Sequence, residues 1–243
     1  MKLLPLFLSV KTSVWRMDDP QGSIVADKAF ERMRLAVLSR DRSICQFCGF
    51  GVPERANAGR SGFMEVHHRD DNHENNSEKN LVTACPFCHA VFHFGLAHAQ
   101  ERGFFILSRG VSQRSLNRMM VLHWYIPFST HPFLKDISKE LSVWIDKGRD
   151  DMREYFGKYA DGTSLANELM KVVSTNNEKR QRELGRVLSH LLLVPNLKNE
   201  QYKKATSMWS EDLRVLWGQR KVVEFVNETM EEIRTEIFSG ESE

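Results

Sequence analysis

Two Cys-x-x-Cys pairs constrain this chain more than anything else in it. Cys45-Gln46-Phe47-Cys48 and Cys85-Pro86-Phe87-Cys88 contain all four cysteines of the 243 residues. Each pair sits where a tight turn can aim two sulfurs at one point, and four thiolates in tetrahedral array are what a structural zinc takes. The gap between the pairs is longer than in a simple zinc ribbon, so a folded element must lie within it. That interval reads Gly62-Phe63-Met64-Glu65-Val66-His67-His68, a short strand carrying two histidines. A polar loop from Arg69 to Lys79 follows, rich in Asp, Asn and Glu, and Asn80-Leu81-Val82 leads back to the second pair. Beyond Cys88, His89-Ala90-Val91-Phe92-His93 reads as the start of a helix. Residues four apart on a helix share a face, so His89 and His93 can meet one ligand together.

At these residues, over about 35 to 98, the sequence resembles the HNH nuclease module, a ββα-metal fold whose hairpin bears the histidines, here with a zinc clamp. The resemblance implies a second divalent metal (Mg, Mn or Zn) with His67 as one ligand and His89 and His93 completing its protein ligands. It implies His68 as the general base that deprotonates the attacking water, and Asn80 as the residue that holds the loop and orients His68. The chemistry suits those roles, since an imidazole titrating near pH ~6.5 accepts a proton at neutral pH and a divalent cation stabilises charge developing on a phosphate. Neighbouring strand residues point to opposite faces, which agrees with His67 binding and His68 acting.

A second resemblance is wider. Arg40-Asp41-Arg42-Ser43-Ile44-Cys45-Gln46-Phe47-Cys48-Gly49-Phe50, Asn75-Asn76-Ser77-Glu78-Lys79-Asn80-Leu81-Val82-Thr83-Ala84-Cys85, Gly103-Phe104-Phe105-Ile106-Leu107 and Ser112-Gln113-Arg114-Ser115-Leu116 are similar to the IcmJ (DotN) family of Dot/Icm-type, or type IVB, secretion systems. The likeness begins at Ser13-Val14-Trp15-Arg16 and returns at Leu191-Leu192-Leu193-Val194-Pro195 and Met208-Trp209, so that it spans roughly residues 4 to 210. It implies a zinc-bearing HNH-like domain inside a coupling complex, with the secretion ATPase and its adaptor proteins as partners. Against a family pattern in which the paired histidines are lost, this sequence keeps His67, His68, His89 and His93. Two readings therefore stand: a scaffold component of a secretion or conjugation machine, and an active endonuclease with DNA as its partner.

The totals bound both. A 41% hydrophobic content supplies one good core or two small ones. A formal net charge of +2 provides no global basic field, so any nucleic-acid contact must rely on a local patch. Cysteines confined to two metal knuckles suit a reducing compartment, and the chain is read as cytoplasmic, reaching a membrane only through a secretion complex. The apolar run over 3–10 is short, broken by Pro5 and lacks a cleavage site, so it is read as a first strand rather than a signal peptide. No stretch approaches the ~20 apolar residues of a membrane span.

Along the rest of the chain, Val14 to Met17 reads as a second strand. Ala29, Phe30, Met33, Val37 and Leu38 recur at helical spacing over 25–39, and residues 51–62 read as a loop. Gly103 to Leu107 is an expected strand, and Ser112 an expected cap for a helix running to Trp124. Turn-rich residues 127–132 mark a junction, after which helices are expected over 135–159, 164–174, 177–193 and 199–238, the third on a stripe of Leu184, Val187, Leu188, Leu191 and Leu192. The last is an amphipathic helix that either packs on its own domain or docks a partner. His73, His98, His123, His131 and His190 match no motif position and are read as structural. The expected fold is α+β: an HNH-like ββα-metal zinc domain over 1–126, then a mainly helical region over 127–243 suited to protein interaction.

Overall fold

The computed structural model describes residues 3–9, 20–51, 63–125, 132–172, 188–212 and 218–240. The first helix, α1 (Pro20–Arg40), ends at the first cysteine pair. The antiparallel strands β1 (Glu65–His68) and β2 (Leu81–Ala84) pair with His67 opposite Val82 and Val66 opposite Thr83. Two short helices follow, α2 (Pro86–Phe92) and α3 (Phe94–Ala99). Then come β3 (Gly103–Leu107), α4 (Gln113–Tyr125), α5 (Pro132–Phe156) and, past a single 3₁₀ turn, α6 (Gly162–Val172). Finally β4 (Leu191–Pro195), α7 (Glu200–Asp212) and α8 (Gly218–Gly240) complete the described chain.

The N-terminal segment is not a strand. Residues 3–9 run as an irregular strap whose Leu4 N–H donates to the Gln46 carbonyl (2.8 Å) and whose Ser9 N–H reaches the Val91 carbonyl (3.4 Å). The expected second strand at 14–17 and the loop from 52 to 62 lie outside the described residues, as does His131. The helix expected over 177–193 gives way at its C-terminal end to β4, while 177–187 is outside the described residues. Five consecutive apolar residues ending in Pro195 are all buried, which suits a strand covered on both faces. They pair antiparallel with β3, Phe105 opposite Leu193. The last expected helix is two, α7 and α8.

Two apolar clusters meet at the β3–β4 sheet. The larger surrounds the four cysteines and holds Phe47, Phe50, Phe87, Ile106, Tyr202 and Trp209. The smaller packs Val91, Phe94, Phe105, Met152, Leu165 and Leu193 between α2, α3, α5 and α6. Both β4 and the Trp209 of α7 thus complete cores begun by residues before 126. The ring of Trp209 stands 4.7 Å from Phe50 and 5.6 Å from Phe87.

Helix α8 is fixed by charge as well as by apolar packing. Val222, Phe225 and Val226 are buried. The 5% exposed Arg118 of α4 donates to Thr229 Oγ1 (2.9 Å), Glu232 (3.3 Å) and Glu228 (3.1 Å), with its guanidinium 4.7 Å above the Phe225 ring. Arg114 ties the same Glu232 to the carbonyls of Phe47 and Leu4. Removing α8 would take Thr229, Glu228 and Glu232 from Arg118 and uncover the apolar surface on which Phe225 packs. These contacts pack one face of α8 on α4, across the boundary expected at residues 126–127.

Two histidines read as structural behave so. His98 Nδ1 lies 3.2 Å from Thr163 Oγ1 and joins α3 to α6, and His123 Nδ1 lies 2.8 Å from Ser138 Oγ. Burial holds both imidazoles below their ordinary value, for His98 against the opposing pull of Asp161. A histidine kept neutral by the fold binds its proton less well than in the unfolded chain. Stability should therefore be level above about pH 6.5 and fall as pH drops from there toward the depressed folded values. The urea midpoint should be lower at about pH 5.5 than at about pH 7.5, and His123→Gln should remove part of that difference. A difference untouched by the substitution would sink the assignment.

Candidate metal centre and histidine pocket

The four cysteine side chains converge as their spacing predicts. All are fully buried, and their ligand atoms lie within 4.8 Å of one another. Cys48 and Cys85 Sγ are 3.8 Å apart, far from the roughly 2.05 Å of a disulfide. Tetrahedral zinc with bonds of about 2.3 Å places its sulfurs about 3.8 Å apart, so the spacing fits such an ion. The local fold explains the convergence. Cys85 is the N-cap of α2, with extended backbone, and its Sγ accepts the Cys88 N–H at 3.4 Å, while Pro86 starts the helix where no N–H is required. Around the first pair, Cys45 N–H donates to the Phe50 carbonyl and Gly49, at φ +77°, accommodates the turn. Gly51 pairs with Ile44 so closely that a Cβ there would lie 2.2 Å from the Ser43 carbonyl.

Burial pushes the Cys85 and Cys88 thiols well above their ordinary value. In Cys45 the same burial is outweighed by hydrogen bonds from the other three cysteines, which hold it well below. Four sulfurs brought this close in a dry site suit a divalent ion, which would balance the charge of the thiolates that bind it. The cysteine cluster can therefore hold a metal ion such as zinc.

The histidines form a second group, apart from the cysteines. His67 of β1, His89 of α2 and His93 offer one nitrogen each within 4.8 Å of one another. The His89 and His93 rings are 4.8 Å apart and the His67 and His89 rings 5.5 Å. His93 is not on the same helix as His89: α2 stops at Phe92, and His93 caps it at φ −129°, ψ 41° before α3 begins. His67 is 4% exposed and stacks on Phe92 at 4.1 Å. His68 faces elsewhere, as alternation along a strand requires, stacked on Phe30 at 5.2 Å. Burial holds the His68 imidazole below its ordinary value, against the opposing hydrogen bond to Asn76.

Asn80 clamps the loop. Its Nδ2 donates to Asp70 Oδ1 (2.7 Å) and to the Asn75 carbonyl (2.8 Å), and its Oδ1 accepts the Asp70 N–H (3.0 Å). The direct partner of His68 is instead Asn76, whose Oδ1 lies 3.0 Å from His68 Nε2 while its Nδ2 reaches the His73 carbonyl at 3.5 Å. An amide oxygen only accepts, so Nε2 carries the proton and Nδ1 the lone pair.

A cavity of about 300 Å³ opens among these groups, lined by Phe30, Arg34, Glu65, Val66, His67, His68, Asp71, His73, His89 and His93. His73, which matches no motif position in the sequence, also lines it. Its ring is 4.9 Å from His68 and 6.5 Å from His93. Glu65 is a second addition. One carboxylate oxygen is hydrogen-bonded to His89 Nδ1, and the other accepts Gln201 Nε2 of α7 at 3.0 Å. Burial opposes ionisation of Glu65, but His89, Arg102 and Arg34 together outweigh it and hold the carboxyl below its usual range. A carboxylate on the far nitrogen fixes an imidazole's tautomer and leaves Nε2 to face a ligand. Glu65 stands two residues before His67, hence on the same strand face, so the sequence carried that signal. Gln201, 136 residues away, carried none.

No protein-family model matches the chain. Among curated proteins the chain is similar to the type 4 apparatus protein DotN of Legionella pneumophila, 36% identical over 66 residues. That match covers 27% of this chain and 27% of the relative, so it spans about a quarter of the relative's length. The wider likeness read over residues 4 to 210 rests on its scattered motifs alone. Among the described residues no helix is long and apolar enough to cross a membrane.

Proposed function

We propose that this chain is a component of a type IVB, Dot/Icm-like secretion or conjugation coupling complex, built on a zinc-bearing HNH-like fold. The observation that carries the reading is the similarity to a type 4 apparatus protein. In this reading the four cysteines hold a structural zinc, the two cores fix the helices around it, and the protein works on the cytoplasmic side beside a coupling ATPase and its adaptors. The near-neutral net charge of +2 suits a protein that meets proteins more than nucleic acid. Tagged full-length chain isolated from its native cells is expected to bring down a membrane-anchored coupling ATPase. Recovery of nucleic acid with no secretion protein would overturn the reading.

A second reading, a metal-dependent HNH endonuclease, is favoured by one observation: three imidazoles converge on one side of the cavity while His68 stands apart from them. His67, His89 and His93 would hold a divalent ion, Mg, Mn or Zn. Such an ion, when bound, stabilises charge developing on the phosphate and the leaving oxygen. His68, with Nε2 turned to Asn76, would accept at Nδ1 the proton of a water whose oxygen bonds to phosphorus as the P–O bond to the leaving group breaks. Asn80 would act one step back, holding the loop that presents Asn76. Glu65 would hold His89 in its ligating tautomer. The two readings are compatible, since a transfer machine can use a nuclease.

A further inference from the structure

A fully buried carboxamide is directed at one of the cysteine sulfurs. Asn117 on α4 is 0% exposed, and its Nδ2 lies 3.2 Å from Cys88 Sγ. Which end of an amide faces a neighbour is normally ambiguous, but here the surrounding hydrogen bonds decide it. Gln113, one turn earlier and 5% exposed, bonds both backbone groups of Leu193 in β4: the Leu193 N–H donates to Oε1 at 2.8 Å, and Nε2 donates to the Leu193 carbonyl at 2.9 Å. Reversing Gln113 would set an NH₂ against an N–H and an oxygen against a carbonyl, so its orientation is fixed. Its second amide hydrogen goes to Asn117 Oδ1 at 2.9 Å. That contact needs the Asn117 oxygen on the Gln113 side, which leaves Nδ2, a group that can only donate, facing Cys88.

The sulfur is thus required to accept. A thiol is a weak acceptor, whereas a metal-bound thiolate is a strong one, and a hydrogen bond to it disperses charge that the ion alone would otherwise balance. We infer that Asn117, locked by Gln113, is a positioning donor to a metal-bound Cys88 thiolate, so that strand β4 helps to set how tightly the cysteine site holds its ion. The inference rests on the metal reading of the cysteine cluster. It links two parts of the chain that sequence order keeps apart, since Leu193 is 80 residues from Gln113. A metal ligand whose outer partner is removed typically loses roughly 10- to 100-fold in affinity.

The test uses the full-length wild-type chain loaded with the spin-half isotope of cadmium, together with Asn117→Leu, which keeps the branched shape and removes the donor. In the wild type, a side-chain amide proton assigned to Asn117 should show scalar coupling to the cadmium through the N–H···S bond, a coupling no merely structural role for Asn117 would produce. In Asn117→Leu that coupling should vanish and affinity for zinc, measured against a chelator, should fall roughly 10- to 100-fold. If cadmium is not bound by four sulfurs at all, the metal reading itself fails. If it is bound but shows no coupling to Asn117, or if the variant binds zinc as tightly as the wild type, the inference is overturned. Should the variant not fold, the wild-type coupling decides alone.

Discussion

Serine in place of Cys88 should strip the chain of zinc and of its fold together. Wild-type protein is expected to carry about one zinc per chain on the four sulfurs. Those sulfurs sit at the centre of the larger core, among Phe47, Phe50, Phe87 and Trp209, where no water can replace a missing ligand. Structural zinc contributes apparent binding free energies of about 10–16 kcal/mol, as large as or larger than the ~5–15 kcal/mol that holds a whole domain folded. Losing one thiolate weakens the ion's hold and leaves Asn117 Nδ2 facing a poorer partner. Elemental analysis of Cys88→Ser should give a ratio near zero, and circular dichroism should show the helical signal reduced with it. Cys45→Ser should behave alike, because Cys45 belongs to the same four-sulfur cluster. Well-folded wild-type protein free of zinc would end the argument.

How much of this could be read in the amino-acid order depends on the range of the interaction responsible. The knuckles were legible because ligand chemistry and turn geometry act within four residues, and Cys45, Cys48, Cys85 and Cys88 do meet. The histidine-bearing hairpin and β3 were legible for a similar reason, alternation and apolar runs being local patterns. Residues 191–195 were not, because Leu188, Leu191 and Leu192 satisfy a helical period as well as they satisfy a buried strand. Only the pairing with β3, more than 80 residues earlier, decides between them. The same limit applies to the pocket. His73 is placed there by a loop whose shape depends on Asp70, Asn75 and Asn80 bonding one another, a network that no periodicity announces. The hydrogen bonds to Asp70 from the Asn72 N–H and from Asn75 and Asn80 overcome its burial and hold its carboxyl below the usual range, so the clamp is charged at neutral pH. The spacing of His89 and His93 suggested one continuous helix. What brings their rings within 4.8 Å is instead a helix that ends at Phe92 and restarts at Phe94.

His68→Ala should leave zinc content and folding intact while removing most cleavage of plasmid DNA, if the pocket is an active nuclease site. The side chain contacts Phe30, His73 and Asn76 rather than any cysteine, so its loss does not reach the cysteine cluster. Loss of a general base typically costs 10²- to 10⁴-fold, roughly 3 to 5 kcal/mol of barrier, which a nicking assay resolves. Asn76→Ala should act in the same direction but more weakly, since it releases the ring from its tautomer without removing it. His89→Ala should be as severe as His68→Ala by another route, the loss of a ligand to the second ion, and higher Mg²⁺ or Mn²⁺ should restore part of the rate if affinity alone has suffered. That rescue should fail for His68→Ala, where the missing group is a base and not a ligand. A wild-type protein that cleaves nothing with any divalent metal would mark the pocket as a scaffold relic and leave the secretion reading to stand alone. Cleavage undiminished in His68→Ala would point to a contaminating nuclease and remove His68 from the role of base.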